Sequence, residues 1–442
     1  MEQIRANQLI DQAKFNRFHM MLIFWCFLII VFDGYDVVLY GLSVPFLMKE
    51  WSLTPIEVGA IGSYTAIGTA IGAILFGFAA DKIGRKKVII FSVLQFSLFT
   101  ALAGFANGPV MFTVFRIIAG LGLGGVMPNV IALTADYTPK AIRNALVSIV
   151  FCGYSIGSVA AAMIGKSLLP AMGWKPIFWI AGIPLLFVPI LVSFLPESIS
   201  SLLAKGKEDE LRAVLRRANP ANPLPNSLTF EKLGSKHAGS PIVKLFEKKR
   251  TVSTLMFWIC FFCAFVLIYA MSTWLPKLML SAGYDLGSSM MFVVFLNLGA
   301  IVGTIVLGTL TNRFGFKKVL VPLYASGGIA FLLLGFKLDI AVIYTLTAVI
   351  GAASIGAQNI ANAFVAEYYP AQIRSTGLGM SFGFGRIGGV VAPTLVGVLL
   401  TMNLSFQMNF LFIGIAGLIA AIAAMFVQEA YADREELLQA AG

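Results

Sequence analysis

The sequence predicts an all-α membrane protein in which twelve transmembrane helices form two pseudo-symmetric six-helix bundles. Three observations carry this. Hydrophobic residues make up 58% of the 442 and charged residues 12%, about half the charged share of an ordinary soluble domain. Twelve apolar runs of roughly twenty residues, each enough to cross a bilayer core, alternate with polar segments. Two unrelated polar phrases also recur at one common offset of 231 residues: GFAADKIGRKK (77–87) returns as GTLTNRFGFKK (308–318), and DYTPKAIR (136–143) as EYYPAQIR (367–374). A shared offset makes one half of the chain a structural copy of the other. In a membrane protein this is the pattern of a two-fold repeat whose central site faces alternate sides.

The runs lie near 18–45, 55–79, 88–106, 109–134, 145–168 and 175–195, then near 252–275, 288–311, 319–337, 340–364, 376–401 and 406–427. Gly and Pro within them are acceptable in lipid, where neighbouring helices satisfy the freed backbone groups. The chain therefore divides into an N-terminal six-helix bundle (1–195), a cytoplasmic linker (196–250) and a C-terminal six-helix bundle (251–442). Within the linker, LLAKGKEDELRAVLRRA (202–218) has helical spacing and mixed charge, and NPANPLPN (219–226) breaks it. The plain role of this amphipathic helix is to join the bundles; lipid binding or regulation is the alternative.

Basic residues set the orientation. With both termini cytoplasmic, 25 Lys and Arg fall in cytoplasmic segments and five outside (Lys49, Lys166, Lys175, Lys277, Lys337), while two lie within spans. The net charge of +11 is thus a topology signal, and no nucleic-acid partner is expected. The first run is too long for a cleavable signal peptide, and a bacterial cytoplasmic (inner) membrane is the expected location. All four cysteines (Cys26, Cys152, Cys260, Cys263) fall in spans, so no external disulfide is expected. The CxxC of Cys260 and Cys263 reads as two small apolar-behaving side chains. His19 and His237 stand where no metal site can be argued. No metal, cofactor or enzymatic constellation is expected; the partners are the bilayer, protons and a small solute, and the carrier is read as a working monomer.

The G-x-x-x-D-x-x-G-R-K-K spacing at 77–87 resembles the loop between helices 2 and 3 of the major facilitator superfamily, and Arg116 with Gly120 and Gly124 resembles the motif of its fourth helix. In the second copy Asn312 replaces the acid and Phe316 the arginine, so any charge clamp rests mainly on the first copy. DGYD (33–36), GLGLGGVMPN (120–129), GYSIGS (153–158) and STGLGMSFGFGRIGG (375–389) with Pro393 are similar to the aromatic acid/proton symporters, which include permeases for benzoate, 4-hydroxybenzoate and protocatechuate. The resemblance covers nearly the whole chain outside the linker; DGYD with GRIGG is its most restrictive part. Drug/proton antiporters carry G-x-x-x-G-P in helix 5, whereas Ser158 follows Gly157 here, which leans toward uptake.

Four ionisable residues lie deep in the spans: Asp33, Asp36, Arg116 and Arg386. A charge at such a depth costs roughly 2.5–3.5 kcal/mol on insertion scales and marks function by default. The positions 231 away from the first three are Ala264, Leu267 and Thr347, and Arg386 maps back to Ser155. The scaffold is repeated and the chemistry is not. Asp33 and Asp36 share a helix face. Two carboxylates so close repel when both are ionised, and desolvation also disfavours charge, so one of them holds a proton readily, as proton coupling requires. Helix rise puts Asp36 about 14 Å and Arg116 about 11 Å from the external ends of their runs, so the two can meet. Arg386 lies about 15 Å into its run from the cytoplasmic side.

A guanidinium fork matches a carboxylate, and Arg116 and Arg386 are both candidates to hold the substrate's. The alternative is that they pair with Asp33, Asp36 or backbone carbonyls and only hold helices together. Tyr64, Tyr269, Trp274, Phe382 and Phe384 are candidate ring walls; Asn297, Gln358 and Asn359 are candidate hydroxyl readers. Gly59, Gly62, Gly299 and Gly303 read as sites of close helix contact. Asp81 with Arg85 (beside Gly84), Asp136 with Arg143, and Glu367 with Arg374 read as cytoplasmic latches that pair when that side is shut; solvated topology charges are the plainer alternative. The resulting expectation is proton-coupled import of a small aromatic carboxylate by alternating access. Another organic anion, sodium coupling, or a non-transporting sensor on the same fold remains open.

Overall fold

Among the described residues, twelve helices are long and apolar enough to cross a membrane. The computed structural model describes residues 3–4, 6–220, 229–230, 241–247, 249–336, 338–370, 373–402 and 404–432. Spans 1 to 5 are Arg17–Glu50, Pro55–Ile83, Arg85–Ala103, Pro109–Tyr137 and Arg143–Met172, and span 6 comes in two pieces, Lys175–Ile180 and Pro184–Phe194. Span 7 is Thr251–Ser281. Span 8 runs from Leu286–Val302 through a π-helical turn at Gly303–Leu307 into Gly308–Phe314. Span 9 is Phe316–Leu334; span 10 runs from Ile340–Gly351 through a second π turn at Ala352–Gly356 into Ala357–Tyr368. Spans 11 and 12 are Arg374–Thr401 and Phe406–Phe426. Strand pairing among the described residues is one two-residue parallel bridge between Gln3–Ile4 and Thr229–Phe230.

The repeat is visible in the helix ends. Spans 3 and 9 start and stop at residues 231 apart, as do spans 4 and 10, and Arg143 and Arg374 open spans 5 and 11. The turn before span 3 hangs on Gly84 at φ +101°, and its copy before span 9 on Gly315 at φ +84°. That left-handed conformation admits glycine without the strain a Cβ brings. The π turns break the symmetry: 72–76 and 121–125, at the same offset, are ordinary α-helix.

The chain forms two compact units: Met1–Asp36, Ile67–Gly157 and Trp174–His237 make the first, and Val37–Ala66, Ser158–Gly173 and Ala238–Gly442 the second. Spans 1, 2 and 5 are thus divided between units, which do not coincide with the sequence halves. Inside the first unit, span 1 lies on span 5 because two glycines remove the side chains that would separate them. A Cβ at Gly34 would stand 1.9 Å from the Tyr154 carbonyl oxygen, and one at Gly157 1.7 Å from that of Val31. This is what the glycines of DGYD and GYSIGS do. Gly157→Ala is expected to force the helices apart at roughly 1–3 kcal/mol, read as a lowered melting temperature of the purified protein; an unchanged melting curve refutes the contact.

The linker segment that reads as an amphipathic helix is two helices, Ile199–Ala204 and Glu208–Ala218. Their apolar side chains Leu202, Leu211 and Leu215 are buried in one cluster with Ile10, Leu22 and Tyr137. The Asn16 amide donates to the Ala218 carbonyl at 2.9 Å and the Asn219 amide to that of Leu9 at 3.0 Å. The apolar face of the linker helix is therefore docked on the first unit. Most of NPANPLPN, together with His237, lies outside the described residues.

Inside the second unit, the far end of span 1 and the start of span 2 pack on spans 7 and 11. A Cβ at Gly41 would meet the Ser272 carbonyl oxygen at 1.8 Å, one at Gly59 that of Pro393 at 2.5 Å, and Gly62 faces the Pro393 ring. Ser63 and Thr394 join hydroxyls at 2.8 Å. On the side of the loop at 51–54, segments from both sequence halves are closed on each other. Gly299 and Gly303 bring span 8 onto Ala348 and Ala352 of span 10, the close contact expected of them.

Candidate functional site

The first unit buries a charge pair. Asp36 of span 1 and Arg116 of span 4 are 0% and 2% exposed. The Arg116 Nη1 donates to Asp36 Oδ1 at 2.9 Å, and Thr100 of span 3 donates its hydroxyl to the same oxygen at 2.5 Å. Three spans meet at one carboxylate oxygen. The other oxygen, Asp36 Oδ2, and the Arg116 Nε are buried and without hydrogen-bond partners among the described residues. Two opposite charges taken out of water stabilise each other only while both are present. Asp33, one turn toward the N-terminus, is 5% exposed. Tyr35 donates to the Ile177 carbonyl at 2.8 Å, so DGYD supplies two carboxylates, a packing glycine and a tyrosine strut to span 6.

The second unit holds the other intramembrane cation in a different setting. Arg386 of span 11 is half-buried, and no carboxylate among the described residues stands within ion-pair distance of it. Its Nη1 faces the Tyr269 hydroxyl at 3.4 Å, and its guanidinium carbon is 5.8 Å from the Phe265 ring centre. Phe265 and Tyr269 lie nearly parallel at 6.1 Å, and Phe382 stands edge-on to Phe265 at 6.1 Å. The glycines of GRIGG form the floor: Cβ atoms at Gly385 and Gly389 would press into the Phe265 and Tyr269 rings, and one at Gly388 into the Phe262 carbonyl. The motif thus offers a cation framed by aromatic faces.

Of the two arginines the sequence leaves open, Arg116 is already neutralised by Asp36. Among the candidate ring walls, Tyr269 adjoins Arg386 and Phe382 stands against Phe265, while Tyr64 is exposed on span 2 and Phe384 stacks on Trp258 at 3.9 Å. Trp274, the remaining candidate ring wall, lies on span 7. It is 0% exposed and its indole N–H donates to the Pro393 carbonyl at 2.9 Å, so its polar atom ties span 7 to span 11. Asn297, Gln358 and Asn359 all lie on spans 8 and 10; Asn359 donates to the Thr304 hydroxyl at 3.1 Å and Gln358 to the Asn362 side chain at 3.0 Å.

The sequence profile of the Major Facilitator Superfamily matches residues 26–336 and 288–441. The chain belongs to that superfamily. It is 41% identical to the benzoate transport protein of Acinetobacter baylyi, over 97% of this chain and 93% of that protein, and 38% identical to the gentisate transporter of Corynebacterium glutamicum, over 92% and 87%. Among solved structures, the inward-open xylose transporter XylE of E. coli superposes with a TM-score of 0.73 at 18% identity, covering 96% of this chain and 99% of that one; this likeness speaks to the fold alone. The relatives are named as transporters, in line with a carrier rather than an enzyme, and the chain is a multi-pass membrane protein.

In this superfamily member two of the three charge pairs read as latches are partnered differently from the sequence expectation. Arg85 meets Asp136, at 2.8 Å, rather than Asp81. The turn at Gly84 ends span 2 at Ile83 and starts span 3 on a new axis, so Asp81 and Arg85 do not share a helix face. Arg143 pairs with Asp11 and donates to the Thr138 carbonyl, because Pro139 and the short turn at Lys140–Ile142 carry it past Asp136. Glu367 is exposed in the last turn of span 10 and Arg374 opens span 11. Sequence reasoning missed Glu197 and Thr100. The Glu197 carboxylate accepts from the Lys86 backbone N–H at 3.2 Å, at the N-terminus of span 3, and lies where a Cβ on Gly84 would strike it at 2.2 Å. An anion there offsets the helix dipole. Its signal was available: an acid directly after an apolar run, with Gln428 at the same offset in the other copy.

Proposed function

We propose that the chain imports a small aromatic carboxylate together with a proton across the bacterial inner membrane, as a monomer with both termini in the cytoplasm, the halves 1–195 and 251–442 exchanging access around the 196–250 linker. The observation that carries the reading is the contrast between the two intramembrane arginines, one buried and one half-buried. Arg116 has its counter-ion in Asp36, while Arg386 has none among the described residues and is bordered by aromatic rings. A lone guanidinium with stacking faces suits an arene bearing a carboxylate, and relatives named for benzoate and gentisate transport support that cargo. Protonation of Asp36 at Oδ2 weakens its hold on Arg116 and so loosens the junction of spans 1, 3 and 4. Asp33, three residues away, is the second station for the proton.

One proton with one monoanion moves no net charge. In proteoliposomes, uptake of labelled benzoate or 4-hydroxybenzoate is therefore expected to follow an inward pH gradient and to ignore a potassium-diffusion potential at equal pH. Uptake driven by voltage alone, or only by sodium, defeats the one-proton scheme.

A further inference from the structure

We infer that spans 8 and 10 carry a reader for a hydroxyl on the substrate's ring, with the Asn297 side-chain oxygen as its acceptor, so that the preferred cargo is a hydroxylated aromatic acid rather than the unsubstituted one. This rests on the aromatic-carboxylate reading above and narrows it.

Subtracting one copy of the repeat from the other isolates the candidates. At the 231-residue offset Asn297, Thr304, Gln358, Asn359 and Asn362 align in sequence with Ala66, Ala73, Met127, Pro128 and Ile131. Five polar side chains replace five residues without a polar side-chain group, in the two spans where π turns also interrupt the second copy. Such π turns are frequent at functional sites.

Asn297 is 1% exposed. Its Nδ2 donates to the Val293 carbonyl at 2.9 Å. A backbone carbonyl can only accept, so that contact must be made by the amide nitrogen, and the other terminal atom is the oxygen. This oxygen is buried with no hydrogen-bond partner among the described residues. Buried acceptors are rarely left so, because an unmade bond forfeits the hydration the group had in water. The missing partner must be a donor. Asn297 lies about two turns before Thr304, which sits in the π turn of span 8, and Asn359 of span 10 donates to the Thr304 hydroxyl. By helix rise, Asn297 and Arg386 differ in depth by about 6–8 Å, the scale of one benzene ring with its substituents. A carboxylate on Arg386 would put a distal ring hydroxyl, meta or para, level with Asn297. Benzoate has no donor there and would leave the oxygen unpaired.

The test is counterflow by the full chain in proteoliposomes, with benzoate and 2-, 3- and 4-hydroxybenzoate as competing substrates. The 3- or 4-hydroxy acid is expected to half-saturate exchange at a concentration about tenfold or more below that of benzoate. In Asn297→Leu that advantage should collapse while benzoate changes by less than about twofold. Equal affinity of wild type for benzoate and both distal isomers overturns the proposal, whether or not the variant folds. An equal loss for all four acids in a folded Asn297→Leu overturns it too. No exchange of any aromatic acid by the wild type is a different failure, which removes the substrate reading itself.

Discussion

Asp36→Asn is expected to abolish concentrative uptake and to destabilise the protein, and the two effects should separate on a second substitution. The amide cannot exchange a proton, and it leaves the Arg116 guanidinium buried at 2% exposure beside a neutral group. Removing one partner of a buried ion pair costs about 3–5 kcal/mol, enough to lower the yield of folded carrier. Adding Arg116→Gln removes the orphaned charge, so the double variant should recover much of the melting temperature while accumulating nothing against a gradient. Substrate exchange at equilibrium, which needs no net proton movement, is the readout that keeps coupling apart from folding. A folded double variant that still concentrates substrate under a pH gradient excludes Asp36 from the coupling site. Asp33 must then carry the proton, and Asp33→Asn becomes the decisive variant.

Arg386→Gln is expected to raise the half-saturating concentration of every carboxylate substrate by about a hundredfold, the scale of a charge-assisted bidentate contact. Arg386→Lys should recover only part of this, because an ammonium keeps the charge without the planar fork. Neither change should cost much stability. Arg386 has no acid partner among the described residues, so its removal strands no opposite charge. That asymmetry with Asp36 is the informative part: one variant loses affinity and keeps its melting curve, and the other loses both coupling and stability. If Arg386→Gln melts far below wild type with affinity intact in the folded fraction, the arginine is a structural brace.

The fold was legible because lipid imposes it. Apolar length and the 231-residue offset are one-dimensional signals, and the helix ends obey the offset to the residue in spans 3, 4, 9 and 10. The meeting of Asp36 with Arg116 was also legible, since helix rise alone puts them at one depth. What the sequence could not supply was partnership across helices. Arg85 finds Asp136 rather than Asp81 because a glycine turn intervenes, a three-dimensional fact. Thr100 looks like any small residue in span 3 until the rotation of that helix aims its hydroxyl at Asp36. Trp274 is a candidate ring wall by its aromatic face, and the bond of its N–H to the Pro393 carbonyl is a cross-helix contact that no sequence pattern announces. The docking of the linker helix on the first unit was hidden for the same reason: an apolar stripe announces that something covers it and says nothing of what.

The wide turns at Gly303–Leu307 and Ala352–Gly356 bear on how a duplicated scaffold diverges. Span 10 keeps the same number of residues as span 4, yet a turn that closes one residue late gives up a step of about 1.5 Å and swings everything beyond it by about 100°. Side chains past the bulge therefore point along new bearings with no insertion or deletion in the chain. By this route point substitutions alone could re-aim half a helix, turning a twin into a counterpart with its own chemistry.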